Sequence, residues 1–500
     1  MTFRNYRHTL IGAFIFIILL SSCSQQTGLD QILYKETKNK IYKDLNEEKF
    51  SQILKTTLDK EAGNLRKGTF ITNFYKNNGY QASLLKKFFA KEKLNLLAER
   101  LNNSSEHGIK PAYFNAEAYQ KTLGLVDSED GIKTLDDAYA QLAMLEIATA
   151  DALLSYSSAL QFGIINPNKT LQRYYIETKQ ADTPFMENIL EAANLDSLLD
   201  SIQPQSNTYL ALQKALKSDI TAEGESKEET MKTIMVNLER ARWKQDIDRK
   251  NMIYVNIPAF RLDVIKDGKA TTNMKVVVGT GRNNSGKATF PDGNSKIKDA
   301  PNSHETPVLA SRIHSVQVNP VWNIPESIAG KEILKHVQND RFYLANAGID
   351  VLQDGKVLED PENIDWSAYS PGNLPYRFRQ RPGDENSLGK IKFLFKNNSS
   401  VYLHDTPAQA AFDRDVRASS HGCVRVAEPL ELAEALFGSG DKFNTIKKDM
   451  ESSDQEEAKD IALSPKTQVV LDYKTIEVKD NKLQFYPDVY GQDIVLYSYM

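Results

Sequence analysis

Tyr402-Leu403-His404-Asp405-Thr406-Pro407 and Ser419-Ser420-His421-Gly422-Cys423-Val424-Arg425-Val426 are the two stretches on which this chain turns. Residues 400–404 read as a strand, and Cys423 follows a glycine in a turn. A thiol attacks a carbonyl only as its thiolate, and a free cysteine has a pKa near ~8.5. A neighbouring imidazole can take that proton, and both His404 and His421 are at hand. Gly422 allows a sharp turn and a close approach of substrate. Backbone N–H groups in such a turn can receive an oxyanion, one donor being worth ~2.7–4 kcal/mol. Two other readings stand beside this one. A lone cysteine can be a small buried hydrophobe. His404, His421 and Cys423 could also supply three zinc ligands, although no CxxC or HExxH accompanies them.

Outward from that site, the C-terminal half reads as strands. Ile253, Val255 and Ile257 alternate with Tyr254 and Asn256. Leu262, Val264 and Ile265 lead to Asp267-Gly268, a hairpin-turn signal, and residues 274–278 form another apolar run. Strand-like runs recur at 312–318 and 391–395, and the end from Thr467 to Met500 looks strand-like too. Residues 326–348 and 428–437 read as helices. Residues 281–305 read as a long polar loop, for which the sequence supplies no role. Residues 361–390 carry Pro, Gly and aromatic residues without a period. The N-terminal half, 41–217, reads as helical. Leu142, Leu145, Leu153, Tyr156 and Leu160 fall at helical steps there, interrupted only at Thr149, which is the pattern of a bundle core. Residues 218–230 are polar and acidic, and predict an exposed linker.

The first 22 residues have the layout of an export signal: Arg4, Arg7 and His8, then an apolar run from Leu10 to Leu20, then Ser21-Ser22. The run is short for a membrane span. Leu20-Ser21-Ser22-Cys23 resembles a bacterial lipoprotein box, which implies cleavage before Cys23 and lipid on its thiol; a retained anchor helix is the alternative. Buried lipid methylenes, each worth ~0.8 kcal/mol, would hold the chain to a membrane. A Cys23–Cys423 disulfide is the other use of the two cysteines, and lipid on Cys23 disfavours it. The net charge of −4, from 62 basic and 66 acidic residues, supplies no electrostatic case for nucleic acid.

His404, fifteen residues, then Ser420-His421-Gly422-Cys423-Val424-Arg425 resembles the signature of the L,D-transpeptidase catalytic domain. The flanks at 255–260, 318–325, 373–378, 388–390 and 488–491 resemble its large Gram-negative branch. Phe74-Tyr75, Gly79-Tyr80 and 151–163 look like the helical scaffold domain of that branch. The resemblance covers about 70–500. It implies an α+β protein: an all-α scaffold domain, then a mostly-β catalytic domain with a helical capping insertion. The expected layout is a signal at 1–22, a tether at 23–40, the scaffold at 41–217, a linker and connecting helix at 218–250, and the catalytic domain at 251–500 with its cap at about 322–390. It further implies Cys423 as nucleophile and His404 as base and later acid. The backbone at Gly422 and Cys423 would form the oxyanion hole, with His421, Ser420, Arg425 and Tyr402 shaping the site. Trp322, Trp366 and Tyr376 are read as core of the cap. Neither metal nor cofactor is expected.

The implied reaction joins peptidoglycan stem peptides by 3→3 cross-links during cell-wall biogenesis, in the periplasm, with the lipid most simply in the outer membrane and carbapenems as acylating inhibitors. Cell-wall synthesis proteins are conceivable partners. Water or a protein lysine as acceptor, or a non-catalytic wall-anchored scaffold, are the rival functions. One departure stands out. Large members carry a small peptidoglycan-binding domain after the scaffold, and the 20 residues between Leu216 and Asn237 are too few for one.

Overall fold

The computed structural model describes residues 28–283, 290, 295–452, 457–480 and 482–500. The export-like segment, Cys23 and the start of the tether lie outside these residues. The chain divides into two compact units. One holds the described residues up to Leu94 together with Lys121–Thr149; the other holds Asn95–Gln120 and Ala150–Met500. Among the described residues, no helix is long and apolar enough to cross a membrane.

Helices build the first unit. Leu29–Thr37, Glu47–Glu61, Gly68–Asn77 and Ser83–Phe88 each bury an apolar edge. The helix Leu135–Phe162 runs 28 residues and crosses the division between the units. Its predicted stripe is buried, and so are Ala138, Ala143, Ala150, Ala152 and Ala159, so small residues widen the packed face beyond one stripe. Thr149, the polar break in that stripe, is also buried. Glu146 on this helix accepts from the N–H groups of Leu84 and Leu85 and from the Tyr75 hydroxyl. A carboxylate at the free N–H groups of a helix start is favourable, so Glu146 serves the fold.

The helical reading of 41–217 is interrupted between Phe162 and Thr183, where one short helix, Pro167–Thr170, remains. Beyond it the chain extends, and residues 173–175 pair with Val308. Leu171, Tyr174 and Ile176 join the core of the second unit.

That core is a sheet closed on itself. In order around the ring run Lys269–Gly279, Val424–Val426, Leu403–His404, Ile391–Phe395, Leu309–Val318, Lys459–Asp472, Met252–Asn256 and Arg261–Lys266, which pairs back to Lys269–Gly279. Closure removes exposed strand edges. The Asp267-Gly268 turn has the expected form, with both residues at positive φ. Phe393, Leu403, Val424 and Val426 face the core. The helix Pro429–Phe437 packs against it, as does Asp441–Glu451, which the sequence reading did not foresee. The strand-like reading of the C-terminus is corrected at Gln492–Tyr497, a helix whose buried Val495 and Leu496 gave the apolar signal.

The polar stretch at 218–230 is mostly exposed, with only Ala222 and Thr230 buried. It runs into the helix Lys227–Arg242, opened by a Ser226/Glu229 capping box. Charge at its far end is buried and paired: Glu239 with Arg242 at 2.6 Å, and Arg240 with Asp493 at 2.5 Å.

Residues 322–380 form a separate small layer. Four strands, ordered Trp322–Ile324, Arg377–Gln380, Ile349–Gln353 and Lys356–Val357, share a core with helical turns between 326 and 346. The predicted helix over 326–348 is four short pieces, one of them a π-turn at Ala329–Ile333.

Candidate active site

Register puts the site together. Leu403 pairs with Val424, His404 with Arg425, and His404 on its other side with Lys392. Leu403, Val424 and Phe393 face the core, so alternation turns His404, Lys392 and Arg425 the other way, and Tyr402 and Cys423, each just before a strand, interact with these groups. Five polar groups thus converge from three adjacent strands.

The turn before Cys423 is shaped by Ser420. Its hydroxyl donates to the Cys423 carbonyl at 2.6 Å and accepts from the Gly422 N–H at 3.1 Å. The Gly422 N–H is therefore already engaged. Gly422 has φ +113°, a conformation that suits glycine. The Gly422 carbonyl accepts from the Thr306 hydroxyl at 2.8 Å, and that hydroxyl accepts from the Gly279 N–H. A Cβ at Gly279 would lie 1.9 Å from the His304 carbonyl, so only glycine lets these segments meet. Tyr490 locks the same point. Its hydroxyl accepts from Thr306 N–H and donates to the Gly279 carbonyl, and Tyr473 and Asp488 hold Tyr490 in turn.

Cys423 is half-buried and unbridged. Burial pushes its thiol up; the Tyr402 N–H and hydroxyl, then Arg425 and Lys392, pull it back in part. His404 is buried, and desolvation followed by the Arg425 charge lowers it to about 3. Its Nδ1 meets the Asp405 carbonyl, which can only accept, so the neutral ring carries its lone pair on Nε2. Asp405 clamps the Leu388-Gly389-Lys390 turn through its carboxylate, accepting from Lys390 N–H at 2.8 Å. The Leu388 carbonyl is thereby brought against His404. Arg425 keeps a buried Nε without a partner.

His421 turns elsewhere. Its Nε2 pairs with Glu332 of the 329–333 turn at 2.5 Å, and its ring meets His304 edge-on at 4.7 Å. Trp322 is more than core of the small layer: besides packing there, it reaches the Tyr402 hydroxyl. Trp366 is buried as expected, with Tyr376 against it. Among the described residues, no group of three or more His, Cys, Asp or Glu side chains could hold a metal ion.

Residues 250–443 match the family described as L,D-transpeptidase catalytic domain (YkuD). The chain carries the catalytic domain of the L,D-transpeptidases. Residues 69–216 match the family described as Scaffold domain. A Haemophilus influenzae protein named "Putative L,D-transpeptidase" is 28% identical over 472 residues, which is 92% of this chain and 86% of that protein.

Within this L,D-transpeptidase domain, sequence reasoning missed Lys392, Thr306, His304 and Glu332. Lys392 is legible only once strand register is known. Thr306 and His304 close the 281–305 loop that had no account. Part of that loop lies outside the described residues, and Arg282 ties its base to Asp299 at 2.7 Å and Glu305 at 2.9 Å.

Proposed function

We propose that the chain is a peptidoglycan L,D-transpeptidase that makes 3→3 cross-links through a thioester on Cys423. The observation that carries this reading is the cluster that Cys423 and Tyr402 form with His404, Lys392 and Arg425 on three adjacent strands. His404 Nε2 takes the thiol proton as Sγ attacks the carbonyl of the third residue of a tetrapeptide stem. Collapse of the tetrahedral intermediate breaks the peptide bond, and the departing D-alanine amine takes that proton. A diaminopimelate side-chain amine of a second stem then attacks the thioester and gives its proton back through His404 to sulfur. With the Gly422 N–H held by Ser420, the Cys423 N–H and the Tyr402 hydroxyl are the donors assigned to the oxyanion. Trp322 and the small layer exclude water from the acyl-enzyme.

Purified tetrapeptide muropeptides incubated with the protein should yield 3→3 dimers by mass spectrometry. Cys423→Ala and His404→Ala should yield none, and wild-type turnover by Cys423→Ala would sink the proposal. Tripeptide without dimer would mean that water is the acceptor, and a peptide attached to a protein lysine would mean a ligase. A carbapenem should add covalently to Cys423; no adduct on the native protein would favour a non-catalytic scaffold.

Export and anchoring complete the reading. The N-terminal signal and Cys23 support a periplasmic protein held by lipid, and Cys23→Ser should abolish palmitate labelling in cells.

A further inference from the structure

The catalytic sheet face continues past Lys392. On Ile391–Phe395 the alternation that turns Lys392 away from the core also turns Leu394, and then Lys396, the same way. Four residues of strand place Lys396 about 13 Å along from Lys392. At that point a cavity of about 710 Å³ opens, lined by Ala310, Ser311, Arg312, His314, Lys396, Lys466, Gln468 and Asp246. Its size lies within the ~300–1,000 Å³ usual for small-molecule sites. Three cations, Arg312, Lys396 and Lys466, are exposed around it, against one carboxylate, Asp246. Among the described residues none of the three cations has a salt-bridge partner. Arg312 pairs with Gln468 across the sheet, and the Lys396 carbonyl is fixed by the Ser311 hydroxyl at 2.6 Å, so the lining stands on ordered strands.

Unpaired cations around a concavity suit a ligand with several carboxylates. We propose that this cavity docks the acidic acceptor stem of peptidoglycan and that the Lys392–Lys396 strip leads its amine toward Cys423. The inference rests on the transpeptidase reading above. A stem peptide supplies the chemistry: free carboxylates on its body, and one amine that must reach the thioester. Three extended residues span ~10–11 Å, which with a long side chain bridges the distance. The site would also hold the second substrate in a chain whose 20 residues between Leu216 and Asn237 leave little room for a binding domain.

The test uses the full chain with Lys396→Glu/Lys466→Glu, and Lys60→Glu/Lys76→Glu as a charge-matched pair that does not line the cavity. The acceptor is a fluorescent tripeptide stem, L-alanyl-γ-D-glutamyl-diaminopimelate, which lacks the D-alanine needed to act as donor. The cavity pair should raise its KM about tenfold or more while D-alanine release from a tetrapeptide donor stays within about twofold, since lost charge contacts act on the acceptor alone. An unchanged KM, or an equal rise in the charge-matched pair, overturns the inference. If the wild-type protein transfers to water only, the transpeptidase reading fails by itself. Anisotropy of the labelled tripeptide on the Cys423→Ala protein then decides: weaker binding in the cavity pair keeps the docking site, and equal binding removes it.

Discussion

Cys423 rests in a neutral setting. Burial raises its thiol, and burial together with Arg425 holds His404 near 3, so thiol and imidazole are both uncharged at neutral pH. A preformed thiolate–imidazolium pair is thus disfavoured, and in the proposed reaction proton transfer would accompany attack. Arg425 and Lys392 reach the developing anion electrostatically, and the Tyr402 hydroxyl can donate to it. Alkylation of Cys423 by the neutral reagent iodoacetamide should therefore keep accelerating past pH ~9, above the ordinary thiol range. A plateau below neutrality would contradict this. His404 and the 420–425 run were legible as residues. Lys392 was not, because its relation to Cys423 exists only through two strand pairings.

At the scale of elements, the helix Lys227–Arg242 buries paired charge at its far end. Glu239 is fully buried, yet it accepts from the Ile165 N–H at 2.8 Å, the Trp243 Nε1–H at 3.1 Å and Arg242. Removing one partner of such a pair strands the other in the interior. Glu239→Ala should destabilise the protein by ~3–5 kcal/mol in chemical denaturation. A loss below ~1 kcal/mol would mean that water reaches Arg242. Periodicity found Leu135–Phe162 and the strands at 252–278, since both expose one regular face to one core. It did not find Asp441–Glu451, whose only buried apolar residues are Phe443, Ile446 and Met450 among charged ones, or Gln492–Tyr497, which is six residues long.

Over the whole molecule, stability is tied to pH through buried neutral histidines. His404 is lowered to about 3, and His107, desolvated and facing Arg242, to about 4. Both are depressed from a free value near ~6.5, so the unfolded chain binds protons that the folded one refuses. Their stabilising effect is complete above that free value and is lost as pH falls toward the folded values. Each should remove about 1 kcal/mol between pH ~7 and ~5.5. Urea midpoints across this window should fall, and His107→Gln should flatten the fall. A midpoint independent of pH would refute the assignment.

The sequence by itself determined the family and the residues proposed for its chemistry: a thiol after a glycine, a histidine nineteen positions before it, and helical then strand periods, all of them local patterns of side-chain type. Only the tertiary structure decided which groups share a face. Closure of the sheet set Lys392 and Arg425 around Cys423, Ser420 took up the Gly422 N–H, His421 went to Glu332 and His304, and residues 163–182 left the helical half for the barrel. Those outcomes depend on register and on the pairing of buried polar groups between segments up to hundreds of residues apart, which no local window contains.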